Sequence, residues 1–112
     1  MKVAISSNGD NIENVVSDVF GRCQYFIVVE IKNGKTEEIE VIKNESLDQN
    51  SAAGVSTAQL IVEKDVNAVI TGNIGPKALD VLKQFDIEIY SGKGIIKDVL
   101  SAFIDKKLKK IN

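Results

Sequence analysis

Residues 66–94 read VNAVITGNIGPKALDVLKQFDIEIYSGKG, and this stretch decides the fold. Residues 66–71 are a short apolar run typical of a buried strand, and residues 87–90 are a second one. The helical pattern between them follows a tight loop and places four apolar side chains on one face: Ala78, Leu79, Leu82 and Phe85. A strand, a helix and a second strand in this order require parallel pairing through a right-handed crossover.

Further strand and helix patterns extend outward from this unit. Residues 2–6, 25–31 and 38–43 are rich in β-forming side chains, and Asn33-Gly34 is a strong hairpin signal. A helical pattern begins at Ala52, and a last helix follows the loop 91–94. This order predicts a single α/β domain over residues 1–112, with helices on both faces of a mixed five-stranded sheet. The predicted strand order is 3-2-1-4-5, with strand 2 antiparallel to the rest.

The chain ends in a basic run, and its counts of Cys and His are low. We interpret the lysine-rich residues 106–110 as the solvated end of the last helix, where lysines oppose the helix dipole.

One Cys and no His exclude an intrachain disulfide, a Ser-His-Asp or Cys-His catalytic machine, and a zinc site built from one chain. A net charge of −2 argues against nucleic acid as a partner. The sequence has no apolar run long enough to span a membrane and no signal-peptide pattern. We therefore expect a cytoplasmic protein, in which the thiol of the single Cys stays reduced.

Three glycine-containing loops are expected to meet at the carboxyl ends of the parallel strands. They are residues 6–9, which include Ser7 and Asn8, residues 71–75, and residues 91–94. Open α/β sheets bind ligands at this edge, where the strand order reverses. Glycines allow close approach, and unpaired backbone N–H groups favour an anionic ligand. The alternative is that the glycines only make tight turns.

Cys23 is the second candidate feature. Its neighbour Arg22 would favour the thiolate, which would make Cys23 a soft metal ligand or a redox-sensitive thiol. The alternative is a small buried apolar side chain at the start of a strand. The polar stretch 44–51 is a third feature, because it offers oxygen ligands, although without EF-hand spacing. Its alternative is a solvated connection.

A succession of motifs runs through nearly the whole chain. It consists of residues 1–6, the segment 19–26 with Phe20-Gly21-Arg22-Cys23, Asn44, Ala53-Gly54, the segment 68–78 with Thr71-Gly72-Asn73-Ile74-Gly75-Pro76, and Ile89-Tyr90. This succession resembles the dinitrogenase iron–molybdenum cofactor biosynthesis family, which includes the small NifX-like proteins. The resemblance implies a ribonuclease H-like α/β/α fold. It also implies a non-catalytic role in nitrogen-fixation-related chemistry: binding or carrying an iron–sulfur or iron–molybdenum-type cluster between donor and acceptor proteins.

The resemblance carries over to particular residues of this chain. It implies that Phe20, Gly21, Arg22 and Cys23 line one side of the site, that Gly72, Asn73 and Gly75 line another, and that Asn44 belongs with them. Many members carry His in the stretch that here reads 44–54, and this chain has none. With Cys23 as the only soft metal ligand, a cluster needs two chains or exogenous thiols, so we expect a monomer or a cluster-bridged dimer.

Two other functions are weighed against this one. A nuclease of the ribonuclease H type needs clustered carboxylates, and the first strand and the end of the fourth have none, so we predict that the protein is not an enzyme. A regulatory domain that binds a small anion or a nucleotide through the glycine loops, without metal, is the alternative function.

Overall fold

The structure is a computed structural model that describes residues 1–45 and 53–111. This part of the chain contains six strands and three helices. The strands are β1 (Lys2–Ser7), β2 (Tyr25–Lys32), β3 (Lys35–Lys43), β4 (Ala68–Thr71), β5 (Glu88–Ser91) and β6 (Lys109–Lys110). The helices are α1 (Ala53–Val62), α2 (Pro76–Gln84) and α3 (Ile96–Ile104), and a 3₁₀ turn spans Phe20–Arg22.

The six strands form one mixed sheet in the order β3-β2-β1-β4-β5-β6. The predicted order of the first five strands is confirmed. Strand β2 is antiparallel to β1 and β3, whereas β1, β4 and β5 are parallel to one another. Ile5 at the centre of β1 lies between Ile27 of β2 and Ile70 of β4, so the middle of the sheet is apolar.

Strand β6 corrects the interpretation of the C-terminal lysines. Helix α3 ends at Ile104, and Lys106 has a φ of 60°, which reverses the chain. The N–H of Lys107 donates to the Ala102 carbonyl at 2.9 Å, and the N–H of Lys106 donates to that of Phe103 at 3.0 Å. These two bonds form a Schellman ending, which releases the following residues to pair with β5. The basic run therefore lies beyond the helix.

Two apolar cores cover the two faces of the sheet and confirm the three-layer arrangement. On one face, α1 and α2 pack over the sheet through Ala58, Ile61, Ala78 and Leu82. On the other, α3 contributes Ile96, Val99 and Leu100. Alternation along the strands explains the division, since successive side chains point to opposite faces.

The hairpin between β2 and β3 follows the sequence signal. Asn33 and Gly34 have φ values of 53° and 74°, the left-handed pair that a type I′ turn requires. Strand β3 is the outer strand, and all but one of its residues are exposed.

Candidate functional site

The loops that follow β1, β4 and β5 lie together at one edge of the sheet. Ser6 Oγ donates a buried hydrogen bond of 2.8 Å to Thr71 Oγ1, which joins the ends of β1 and β4. The N–H of Gly92 donates to the Thr71 carbonyl at 3.0 Å and ties the end of β5 to the same point. The strand order reverses here, at the position where open α/β sheets bind ligands.

An irregular segment, residues 8–24, crosses this edge and occupies part of it. The N–H of Ser17 donates to the Ser6 carbonyl at 2.9 Å, and the N–H of Gly72 donates to that of Ser17 at 3.1 Å. Farther along, the N–H of Phe20 donates to the Asn73 carbonyl at 2.9 Å. These bonds hold the segment against the loops after β1 and β4, so Phe20–Arg22 and the loop 72–75 are neighbours.

The two predicted glycines of the loop after β4 have different surroundings. A Cβ on Gly72 would lie 2.8 Å from both the Cα and the carbonyl oxygen of Asp18. Glycine at position 72 is therefore required by the packing of the chain against itself. A Cβ on Gly75 would meet nothing within 4 Å. Of the two, only Gly75 is exposed and has room for a side chain.

Four of the predicted site residues point into the protein, and three of them form one buried cluster. Asn44 Nδ2 donates to the Cys23 carbonyl at 2.9 Å, and Asn44 Oδ1 accepts from Thr57 Oγ1 at 3.4 Å. The Cys23 thiol donates to the Phe20 carbonyl at 3.2 Å. Ser7 is also buried, and its hydroxyl bonds to the backbone of Gly9 at 2.6 Å. We call Phe20, Cys23, Asn44 and Thr57 the buried node; it joins the start of β2 to α1.

The protonation of Cys23 is set by this burial. Its side chain is fully buried, and loss of solvent raises the pKa of the thiol from 9.0 to about 12. Hydrogen bonds from the Ser7 backbone and the Asn44 side chain lower the pKa, but they are outweighed. The expectation that Arg22 holds Cys23 as a thiolate is therefore wrong, because desolvation of the buried thiol determines the direction of its pKa shift. At neutral pH Cys23 is a protonated core thiol.

The other predicted residues are divided between the surface and the interior. Asn8, Arg22, Asn73 and Gly75 are exposed, whereas Gly21 is buried in the 3₁₀ turn. Asn73 Nδ2 donates to the Asp18 carbonyl at 3.2 Å, which orients the loop after β4. The predicted set thus includes both a surface that a ligand can reach and the residues that hold that surface in place.

A cleft of about 360 Å³ opens beside the loop after β4, and we call it the edge cleft. Gly75 caps α2 without a side-chain hydrogen bond, and Pro76 occupies the first turn, so the N-terminal N–H groups of α2 stay available near this loop. Such N–H groups, together with nearby lysine ammonium groups, favour an anion. The residues that line the cleft are Gly72, Asn73, Ile74, Ser91, Lys109, Lys110 and Ile111.

The lysines of the edge cleft were missed as site residues from sequence. Lys109 lies opposite Ser91 in the sheet, and no carboxylate pairs with it among the described residues. Lys110 lies opposite Tyr90, and its ammonium contacts Glu88 Oε2 at 3.1 Å, so part of its charge is neutralised. The basic run 106–110 was the available signal, but it identifies the cleft only once β6 is known to pair with β5.

No group of three or more His, Cys, Asp or Glu side chains that could hold a metal ion occurs within residues 1–45 and 53–111. Of the polar stretch 44–51, Asn44 and Glu45 are described, and residues 46–51 lie outside the described part. In that part, too, no helix combines the length and the apolar character that crossing a bilayer requires.

Another cavity, of about 420 Å³, lies at the opposite end of the parallel strands, between the hairpin turn and the end of α3. It is mostly apolar, and none of the predicted site residues lines it. Its position at the amino ends of the strands separates it from the loops that gather at the switch edge. Its lining consists of Met1, Ile31, Gly34, Glu88, Tyr90, Phe103, Ile104, Lys106 and Leu108.

These features define a small three-layer α/β domain whose polar loops gather beside a lysine-bearing cleft at the carboxyl edge of the sheet. The chain belongs to the family described as "Dinitrogenase iron-molybdenum cofactor", whose model matches residues 1–106. The uncharacterized protein MJ0580 of Methanocaldococcus jannaschii is 40% identical to it over 111 residues, which cover 98% of this chain and 91% of that protein.

Two solved structures extend the likeness to the fold. The Thermotoga protein TM1290 is 31% identical, covers 98% of this chain and 92% of its own, and superposes with a TM-score of 0.82. The apo form of the orange protein from Desulfovibrio gigas has a TM-score of 0.90 over 97% of this chain and 91% of its own. At 24% identity, the orange protein supports the fold alone.

Proposed function

We propose that this protein binds and carries an anionic metallocluster of the iron–sulfur or iron–molybdenum type, or a precursor of one, without catalysing a reaction. Membership of the family supports the class of cargo. The observation that carries the proposal is the edge cleft, in which Lys109 lies beside the backbone of the loop that leads from β4 to the N-terminus of α2. Donor and acceptor proteins in the cytoplasm are the proposed partners.

The chemistry of the cleft matches a cluster that brings its own sulfide. Such a cargo has net negative charge and sulfur acceptors, which suit ammonium and N–H donors. Lys109 supplies a charge with no carboxylate partner among the described residues, and Gly72, Asn73 and Ile74 bring the backbone of the loop after β4 to the cleft. Arg22 and Asn73 are exposed on the adjoining loops, and we include them among the contacts.

Cys23 has a second-stage role in this proposal. To act as a thiolate ligand, Cys23 must lose its proton and break the hydrogen bond of its thiol to the Phe20 carbonyl. Burial of the side chain opposes both steps. We therefore propose that the cluster first binds through the exposed donors. Cys23 becomes a soft ligand only when the buried node opens.

The test is anaerobic reconstitution with iron and sulfide, followed by absorption and EPR spectroscopy and by metal and sulfide analysis. We expect a coloured wild-type protein and a Lys109→Gln variant with clearly lower metal content. Lys83→Gln removes the same charge from an exposed residue at the far end of α2 and serves as the matched control. If wild type and Cys23→Ala both remain colourless and metal-free, the proposal fails for this protein.

The second candidate function is binding of a small anion or a nucleotide without metal. The raised pKa of Cys23 favours this function over cluster binding, because a small anion or a nucleotide needs no thiolate ligand. Ligand-dependent thermal stabilisation by phosphate or a nucleotide, lost in Lys109→Gln and retained in Cys23→Ala, would support this alternative over the cluster.

A further inference from the structure

The cavity between the hairpin turn and the end of α3 has the size and the walls of a small-molecule site, and we call it the hairpin cavity. Its volume of about 420 Å³ exceeds the 360 Å³ of the edge cleft and lies in the range of roughly 300–1,000 Å³ that ligand pockets occupy. The apolar and aromatic side chains of its wall include five that remain partly exposed: Ile31, Tyr90, Phe103, Ile104 and Leu108. An apolar ligand in the cavity would remove this surface from water, which is favourable.

One wall of the hairpin cavity is already formed in the absence of a ligand. The rings of Tyr90 and Phe103 pack edge to face, with centroids 5.1 Å apart and an angle of 81° between their planes. The Tyr90 hydroxyl donates to Glu88 Oε1 at 3.2 Å, which holds that ring at its polar end. Because both rings line the cavity, an apolar ligand meets a preformed surface and loses little affinity to the ordering of side chains.

Glu88 is an acidic residue of the lining, and both of its carboxylate oxygens already have donors. Oε1 accepts from the Tyr90 hydroxyl, and Oε2 accepts from Lys110 Nζ at 3.1 Å. The hydrogen bond from Lys110 lowers the pKa of this carboxyl group, so it is ionised and paired at neutral pH. A cationic ligand would therefore have to displace Lys110 to reach it.

The end of α3 does not require a cation in the cavity either. A helix C-terminus attracts positive charge through carbonyl oxygens that lack donors. The Schellman ending supplies backbone N–H donors to the carbonyls of Ala102 and Phe103. The chain itself thus satisfies part of the negative end of this helix.

Lys106 is a charged residue of the lining that has no opposite charge beside it. The residue is exposed, and no carboxylate lies within ion-pair distance of its ammonium in residues 1–45 and 53–111. The Met1 amino group, by contrast, donates to the Ile31 carbonyl at 3.0 Å and lies 3.4 Å from Glu30 Oε2. The described part of the cavity therefore combines apolar walls with an uncompensated positive charge, which suits an anion with an apolar body.

We propose that the hairpin cavity binds a small organic monocarboxylate, with the carboxylate beside Lys106 and the apolar body against Ile31, Phe103 and Leu108. This site is separate from the proposed cluster site. The two lie at opposite ends of the parallel strands and share no lining residue. Binding of the carboxylate requires neither a metal nor any change at Cys23.

Backbone amide NMR of the cluster-free protein, titrated with hexanoate, octanoate and decanoate, tests the site. We expect the amide signals of Ile31, Phe103 and Leu108 to shift, while those of Ser91 and Lys109 in the edge cleft stay in place. The affinity should rise roughly two- to fourfold with each added CH₂ group, because part or all of that group leaves water. No shift of the lining residues at about 5 mM decanoate, shifts centred on the edge cleft, or an affinity independent of chain length would overturn the proposal.

The head group is tested with octanol and octylammonium, which share the apolar body of octanoate but not its charge. In the wild type, octanoate should bind roughly threefold more tightly than octanol. Lys106→Gln should remove this difference while octanol still binds, which reports that the cavity is intact. Lys107→Gln removes the same charge from the next residue, which is exposed and does not line the cavity, and it should preserve the difference. Octanol or octylammonium binding as tightly as octanoate in the wild type, or a difference that survives Lys106→Gln, would refute a carboxylate site at Lys106.

Discussion

The buried thiol of Cys23 provides a quantitative test of the site. Burial raises its pKa from 9.0 to about 12, so at pH 8 the thiolate fraction is about a thousandfold smaller in the folded than in the unfolded protein. Since the thiolate is the reactive form, the native protein should react with a disulfide reagent at least a thousandfold more slowly than the protein in denaturant.

The same pKa difference makes stability depend on alkaline pH. Above pH 9 the unfolded chain releases the thiol proton, whereas the folded chain keeps it until about pH 12. The unfolded state then binds fewer protons, so the free energy of unfolding falls as the pH rises. At pH 10 the contribution of Cys23 is a loss of about 1.4 kcal/mol relative to neutral pH.

Urea unfolding at pH 7 and pH 10 measures this loss, with Cys23→Ala as the reference. The variant starts from a lower stability because it leaves a small cavity in the core, but it lacks the titrating thiol. The wild type should therefore lose about 1.4 kcal/mol more than the variant between the two pH values. Equal losses, or a native thiol that reacts within tenfold of the denatured one, would show that Cys23 is not held in this environment.

Further predictions concern the residues that hold the site together. Gly72→Ala should destabilise the protein by roughly 1–3 kcal/mol, because the new Cβ would displace the Asp18 backbone, whereas Gly75→Ala in the same loop should change stability by less than about 0.5 kcal/mol. Thermal unfolding of the pair measures the difference, and equal effects would contradict the packing described for Gly72. Asn44→Ala should cost about 1–3 kcal/mol, since it removes the amide that bonds to the Cys23 carbonyl, and it should also speed thiol labelling. An unchanged labelling rate would mean that Asn44 does not close the buried node.

Most of the fold could be predicted because its signals are local. The Asn33-Gly34 pair specifies a left-handed turn. The apolar run at residues 66–71 is followed by a glycine loop and then by a helix. The failure at the C-terminus is equally physical. Lys106 adopts the left-handed conformation that Gly usually takes after a helix. Because the residue is Lys and not Gly, the sequence gives no signal for the end of α3.

The candidate site was predictable only in outline. The sequence locates Cys23 beside Arg22, but the pKa of the thiol depends on the burial of its side chain beneath Phe20 and β2. The glycines at positions 72 and 75 look alike in sequence, yet one is packed against the chain and the other is open. Solvent exclusion and close packing arise from segments distant in the chain, so no local pattern reports them.

The sequence by itself determined the order of the central strands, the hairpin, the absence of His and the single Cys. The hairpin, the absence of His and the single Cys are short-range geometry or composition, whereas the order of the central strands follows from the succession of strands and helices along the chain. Only the tertiary structure decided that Cys23 is a protonated core thiol and that Lys109 lies at the edge cleft. Both depend on contacts between distant residues, such as the pairing of Lys109 with Ser91, because desolvation and charge proximity exist only after the chain has folded.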